Sequence, residues 1–138
     1  MSGHHLFDPE GLAPASGFSH GALVGEGTTL HIAGQTGHHP DLTIDESLIE
    51  QFGQACRSVA RVIEEAGGNH DDLVSMTIFT TDIHAYRENL EPIGAAYRAV
   101  FGKHFPPMAL IGVSQLFDPK SMVELVCVAV VADGSVTP

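Results

Sequence analysis

Leu48, Phe52, Ala55, Val59, Ile63 and Ala66 recur at steps of three and four. That spacing lays one apolar stripe along one side of a helix. Thr43-Ile44-Asp45-Glu46 has the form of a capping box, so the helix is predicted to begin there. Gly67-Gly68 supplies the usual glycine stop. A second stripe runs through Tyr86, Leu90, Ile93, Tyr97 and Phe101, closed by Gly102. Pro92 is compatible with that helix if it lies in the first turn.

Between and after the stripes the pattern changes to runs rich in β-branched residues, which predict strands. Leu73 to Thr80 is one, Met108 to Val113 another, and Met122 to Ala132 the longest and most apolar. Upstream, Ala22 to Val24 and Thr28 to Gly34 flank Gly25-Glu26-Gly27 and read as a β-hairpin. Gly34 to Pro40 is predicted to be a loop, and residues 1–20, rich in Gly, Pro, Ser and His, an extended arm or loop. The predicted order is β-β-α-β-α-β-β, an α+β chain with two helices on one face of a mixed sheet. Met122 to Ala132 is nearly all apolar, which implies burial on both faces. Two helices cover only one face, so the other is expected to meet another subunit.

Length and composition narrow the picture. The 138 residues suit a single domain spanning 1–138, and 43% hydrophobic residues mark a globular chain. Six Lys+Arg against 17 Asp+Glu give a net charge of -11. That balance disfavours nucleic acid and anionic membrane surfaces, both of which draw affinity from clustered cations. No apolar run approaches the length of a membrane span, and the first residues have no basic start or apolar core of a secretory signal. A cytoplasmic location is expected. Cys56 and Cys127 are far apart and form no C-x-x-C motif. One disulfide is arithmetically allowed, but two buried thiols are the expected state in a reducing compartment.

The candidate chemistry is sparse. Glu124 interrupts an otherwise apolar strand, either as a functional carboxylate or as an outward-facing or ion-paired residue. The nine histidines suggest metal, yet no H-x-x-x-H or H-E-x-x-H pair exists, and the adjacent His38 and His39 would point in opposite directions. No metal is expected. Cys127 lies three residues from Glu124 and so faces the other way on a strand. Ser19 and Ser114 have no nucleophile-elbow setting. Gly25-Glu26-Gly27 lacks the third glycine of a dinucleotide fingerprint.

Several segments in order resemble the Rid family, also called YjgF/YER057c/UK114. They are Gly17-Phe18-Ser19-His20, Ile32-Ala33-Gly34-Gln35, Glu64-Glu65-Ala66-Gly67, Asp71 to Thr77, and Val123 to Val130. The likeness covers about residues 9–132. It implies a chorismate-mutase-like fold and a homotrimer whose sheets form a central barrel, with pockets at the subunit interfaces. It also implies hydrolysis of enamines or imines to ketones and ammonia, without metal or organic cofactor. Glu124 stands where the family has its water-positioning Glu. Phe18, Ala33, Gly34, Gly94 and Met108 stand at the implied substrate-binding wall.

Three of these positions depart from the family pattern. Met108 replaces the Arg that clamps the substrate carboxylate, Phe18 a frequent Tyr, and Gly94 an Asn found in some relatives. Met offers no donor for a carboxylate. The substrate is therefore expected to differ from small 2-imino acids, or to have its carboxylate held elsewhere. Relatives that act on 2-aminomuconate-like compounds make that class one candidate, although no residue here points to it. His20 is the better of two histidines, with His31, for a substituted proton donor. A non-catalytic trimeric small-ligand-binding or regulatory protein is the alternative, and a chaperone-like role has no particular support. The endoribonuclease label carried by part of the family sits poorly with a charge of -11.

Overall fold

The computed structural model describes residues 3–137. Its central element is a four-stranded sheet in the order β3-β6-β4-β5, where β3 is Thr28–Gln35, β4 Leu73–Thr80, β5 Met108–Gly112 and β6 Val123–Val131. β6 runs antiparallel to both β3 and β4, while β5 lies parallel to β4 with Met108 opposite Met76. The long apolar β6 occupies an interior position, where both of its edges find hydrogen-bond partners.

Helix α1 (Leu48–Glu65) buries the predicted stripe against one face of this sheet, and Phe52, Ala55, Val59 and Ile63 are essentially inaccessible. Gly67 takes φ 86°, and the Gly67 and Gly68 amides donate to Glu64 and Ile63 carbonyls, so the glycine stop operates as expected. The start is four residues later than predicted. Thr43 donates its hydroxyl and amide to Asp41 and belongs to a turn, while Ser47 is the N-cap and accepts from the Glu50 amide. Ser47-Leu48-Ile49-Glu50 has the same capping form, and Leu48 is its first buried stripe residue.

The second stripe is divided. α2 (Ile83–Glu88) and α3 (Leu90–Phe101) meet at Asn89, which has φ -119° and ψ 28°. Pro92 is the third residue of α3, within its first turn. Its ring would collide with the Glu88 carbonyl in an unbroken helix, which accounts for the break.

The expected hairpin between residues 22 and 34 does not form. β2 (Gly21–Leu23) pairs instead with β1 (His5–Phe7), a strand inside the presumed arm, and β3 pairs with β6. A three-residue hairpin is marginal alone, whereas β3 gains a long antiparallel partner. His4 locks the arm in place: one ring nitrogen accepts from the Gly25 amide at 3.0 Å and the other lies 2.9 Å from the Val130 carbonyl. The order is therefore β-β-β-α-β-α-α-β-β, one strand and one helix break beyond expectation.

Burial of β6 alternates. Val123, Leu125, Cys127 and Ala129 are buried under the helices, while Glu124 and Val128 are half-buried and Val126 is 38% exposed. Phe79 and Thr77 continue this open surface on β4 and Ile111, 43% exposed, on β5. The single chain thus covers one sheet face and leaves the other open.

Cys56 and Cys127 are both free and buried in the core. Burial pushes the Cys127 thiol up to about 12 and the Cys56 thiol higher still. Neither thiol is expected to react with an aromatic disulfide reagent in the native protein, and both should react after denaturation. Fast labelling of either in the folded state would contradict this core.

Candidate functional site

Residues flanking the start of β5 line a cavity of about 520 Å³. Phe18, Gly94 and Met108 all line it. Ser19 places Phe18 there: its hydroxyl donates to the Phe105 carbonyl at 2.6 Å and its amide to Pro106. Met108 points to the helix side of the sheet, like its register partner Met76. The wall is otherwise aromatic. Tyr97 stacks on Phe105 with centroids 5.5 Å apart, and Tyr86 meets Phe52 edge-on at 6.2 Å. The Tyr97 hydroxyl donates to the His104 carbonyl at 2.6 Å. Burial raises the Tyr86 phenol to about 12 and raises that of Tyr97 as well, so both stay neutral near pH 7.

Ala33, Gly34 and Glu124 lie elsewhere, on the open face of the sheet. The parity of β6 puts Leu125 and Cys127 into the core and Glu124 opposite. Glu124 pairs in register with Phe79, and its carboxylate lies directly over Gly34. A Cβ at residue 34 would stand 2.6 Å from Glu124 Oε2, so glycine is what allows this approach. Glu124 joins none of the ion pairs among the described residues. The six implied site residues therefore divide into two groups on opposite faces of one chain's sheet.

His20 does not reach the cavity wall. Its ring meets the Ala13 carbonyl at 2.7 Å and its amide donates to Asp8, so it ties the N-terminal segment together. His31 is exposed on β3 opposite Val128. His38 and His39 diverge as expected, to Asp118 and Asp45 respectively, each at 2.8 Å. No cluster able to hold a metal occurs among the described residues, and none of their helices is long and apolar enough to cross a membrane.

Three features escaped the sequence reading. Arg98 lies at the cavity, four residues beyond Gly94. Gln51, inside α1, ties the loops before α1 and β6 together. Thr36, His38 and Asp118 form a chain of contacts, with Thr36 Oγ1 2.6 Å from His38 Nδ1 and His38 Nε2 2.8 Å from Asp118. The segment from Gly34 to Pro40 read only as a loop, since its acidic partner is 80 residues away.

The Lys120 amide, and then His38, hold the Asp118 carboxyl below the usual 3.8. A carboxyl depressed by folding stabilises the native state fully above 3.8 and ceases to do so as pH falls through its lower native value. Asp118→Asn is expected to flatten the acid limb of a stability-versus-pH curve measured by urea unfolding. An unchanged limb would show that this network does not contribute.

The chain is similar to known proteins over most of its length. Residues 9–131 match the family model described as Endoribonuclease L-PSP. A RutC family protein of Aquifex aeolicus is 33% identical over 88 residues, covering 63% of this chain and 69% of that one. Among solved structures, YyfB of Yersinia pestis, described as a Rid-family protein of unknown function, superposes with a TM-score of 0.84 at 27% identity, covering 93% of this chain and 98% of YyfB. Rv2704 of Mycobacterium tuberculosis, described as a member of the YjgF/YER057c/UK114 family, gives 0.64 at 25% identity, covering 93% and 99%. The helices packed on one face of a mixed sheet are the chorismate-mutase-like arrangement of these relatives. With this fold and a family match spanning residues 9–131, the chain belongs to the Rid (YjgF/YER057c/UK114) family.

Proposed function

We propose that the protein is a Rid-type deaminase that hydrolyses an enamine or imine to a ketone and ammonia. The observation that carries this reading is Glu124, a carboxylate with no ion-pair partner among the described residues, set in an apolar strand and laid over the Gly34 backbone. Half-buried on the open sheet face among apolar neighbours, this carboxylate is free to hold a water and meet a substrate.

The chemistry needs water and proton transfers alone. Glu124 orients a water and accepts one proton as the water oxygen bonds to the imine carbon. The C=N π electrons move to nitrogen, which takes a proton. Collapse of the resulting amino alcohol forms C=O, breaks C–N and releases ammonia. An enamine enters the same route after protonation at carbon.

The cavity and Glu124 lie on opposite sheet faces of one chain, so the working site requires more than one copy. We place the open face of the sheet at the interface of a homotrimer, where Glu124 and Gly34 of one protomer meet the cavity of its partner. Light scattering should report a trimer; a stable monomer would remove this site. The functional test is ammonia release from a panel of enzymatically generated imines and enamines, including a 2-aminomuconate-like member. Turnover of any panel member that is lost in Glu124→Ala supports the reading.

One observation favours a second reading. Met108 gives the cavity an apolar wall where the family's deaminases carry Arg. A trimer that binds a small ligand without turning it over would have that wall. A co-purifying ligand that is never consumed would point there.

A further inference from the structure

Among the residues lining the cavity, Arg98 alone carries a charge. The rest of the wall is aromatic, aliphatic or small, with Phe18, Tyr97, Phe105 and Met108 around the start of β5. Arg98 is exposed and joins none of the ion pairs among the described residues, although the chain has 17 acidic side chains to offer it. Of the other arginines, Arg57 bonds Gln54, Arg61 pairs with Glu65, and Arg87 does not line the cavity.

Gly94 explains where the guanidinium rests. The two residues are one turn apart on α3, and a Cβ at position 94 would stand 3.0 Å from Arg98 Nη1. The missing side chain leaves room for the guanidinium to fold back across the helix beside the cavity. Any larger residue, an amide included, would crowd that position. The strand side of the cavity is thus apolar at Met108, while Gly94 makes space for a cation on the helix side.

We propose that Arg98 is the anion-binding residue of this cavity. Its ligand is a carboxylate that also carries an aromatic or similarly bulky apolar group. The guanidinium fork suits a carboxylate with two parallel hydrogen bonds. The aromatic wall takes the apolar part, and a cavity of about 520 Å³ holds a single ring with a short chain. In a protein of net charge -11 an anion has little reason to approach other surfaces. Combined with the deaminase reading, on which this part rests, the substrate becomes an imine or enamine of that class, larger than a simple 2-imino acid.

The test is calorimetric binding of 3-phenylpropionate and its neutral isostere 3-phenylpropionamide at physiological salt. The intact protein should bind the carboxylate about 10-fold more tightly than the amide. Arg98→Met should abolish the preference, and Arg98→Lys should restore part of it. Equal affinity for both probes in the intact protein, or a preference that survives Arg98→Met, overturns the proposal. Binding of these probes involves no turnover, so this result and the ammonia-release result fail independently. If turnover is present, Arg98→Met should raise KM for a carboxylate-bearing imine and leave KM for a neutral one unchanged.

Discussion

Glu124→Gln is expected to lower the rate of ammonia release by about 10²–10⁴-fold, the usual contribution of a positioned general base. Glutamine keeps the size of the side chain and so keeps the packing over Gly34. It loses the capacity to accept a proton from water. The effect should therefore fall on kcat, with KM little changed, and the thermal midpoint should stay close to that of the parent. Glu124 is half-buried and has no ion-pair partner among the described residues, so no buried cation is orphaned by the exchange. Full activity in Glu124→Gln on an identified substrate would remove Glu124 from the chemistry. Gly34→Ala should act in the same direction more weakly, because its Cβ must push the carboxylate aside.

Gln51→Leu should produce a large loss of stability. Gln51 is 1% exposed. Its amide donates to the Asp45 carbonyl at 2.8 Å and the Lys120 carbonyl at 3.0 Å, and its oxygen accepts from the Met122 amide at 2.8 Å. Leucine has comparable bulk but satisfies none of the three. Leaving buried backbone groups unpaired costs about 1–3 kcal/mol each; with partial relaxation the total is about 3 kcal/mol. For a domain of this size that lowers Tm by about 10 °C. Met122 immediately precedes β6, so the loss should also loosen the strand that presents Glu124. A Tm within about 2 °C of the parent would mean that the two loops hold their positions without this side chain.

Much of the fold was legible in local pattern. The α1 stripe, the β4 boundaries and the glycines at 67 and 102 are set by side-chain periodicity and by backbone stereochemistry, both of which act within a few residues. The opposed facing of Glu124 and Cys127 follows from strand alternation alone. The misplaced features involve competition between local and distant partners. Thr43 to Glu46 and Ser47 to Glu50 are equally good caps on paper, and the core contact of Leu48 selects the second. β2 and β3 are adjacent in sequence, yet β6 offers β3 a longer ladder and β1 takes β2.

The site divides along the same line. The resemblance identified Glu124, Gly34, Met108 and Gly94 by position, but position along the chain does not say which lie on one side of a sheet. Nor could it reveal Gln51, whose partners Lys120 and Met122 are 69 and 71 residues away, or Arg98, whose meaning depends on an apolar wall gathered from the N-terminal segment, three helices, β4 and β5. The sequence by itself determined most of the elements, their approximate order and the facing of their side chains, because these depend on short-range sterics and periodic burial. Only the tertiary structure decided which strands pair, which loops Gln51 joins and which residues share the cavity, because those contacts are chosen by packing among segments distant in the chain.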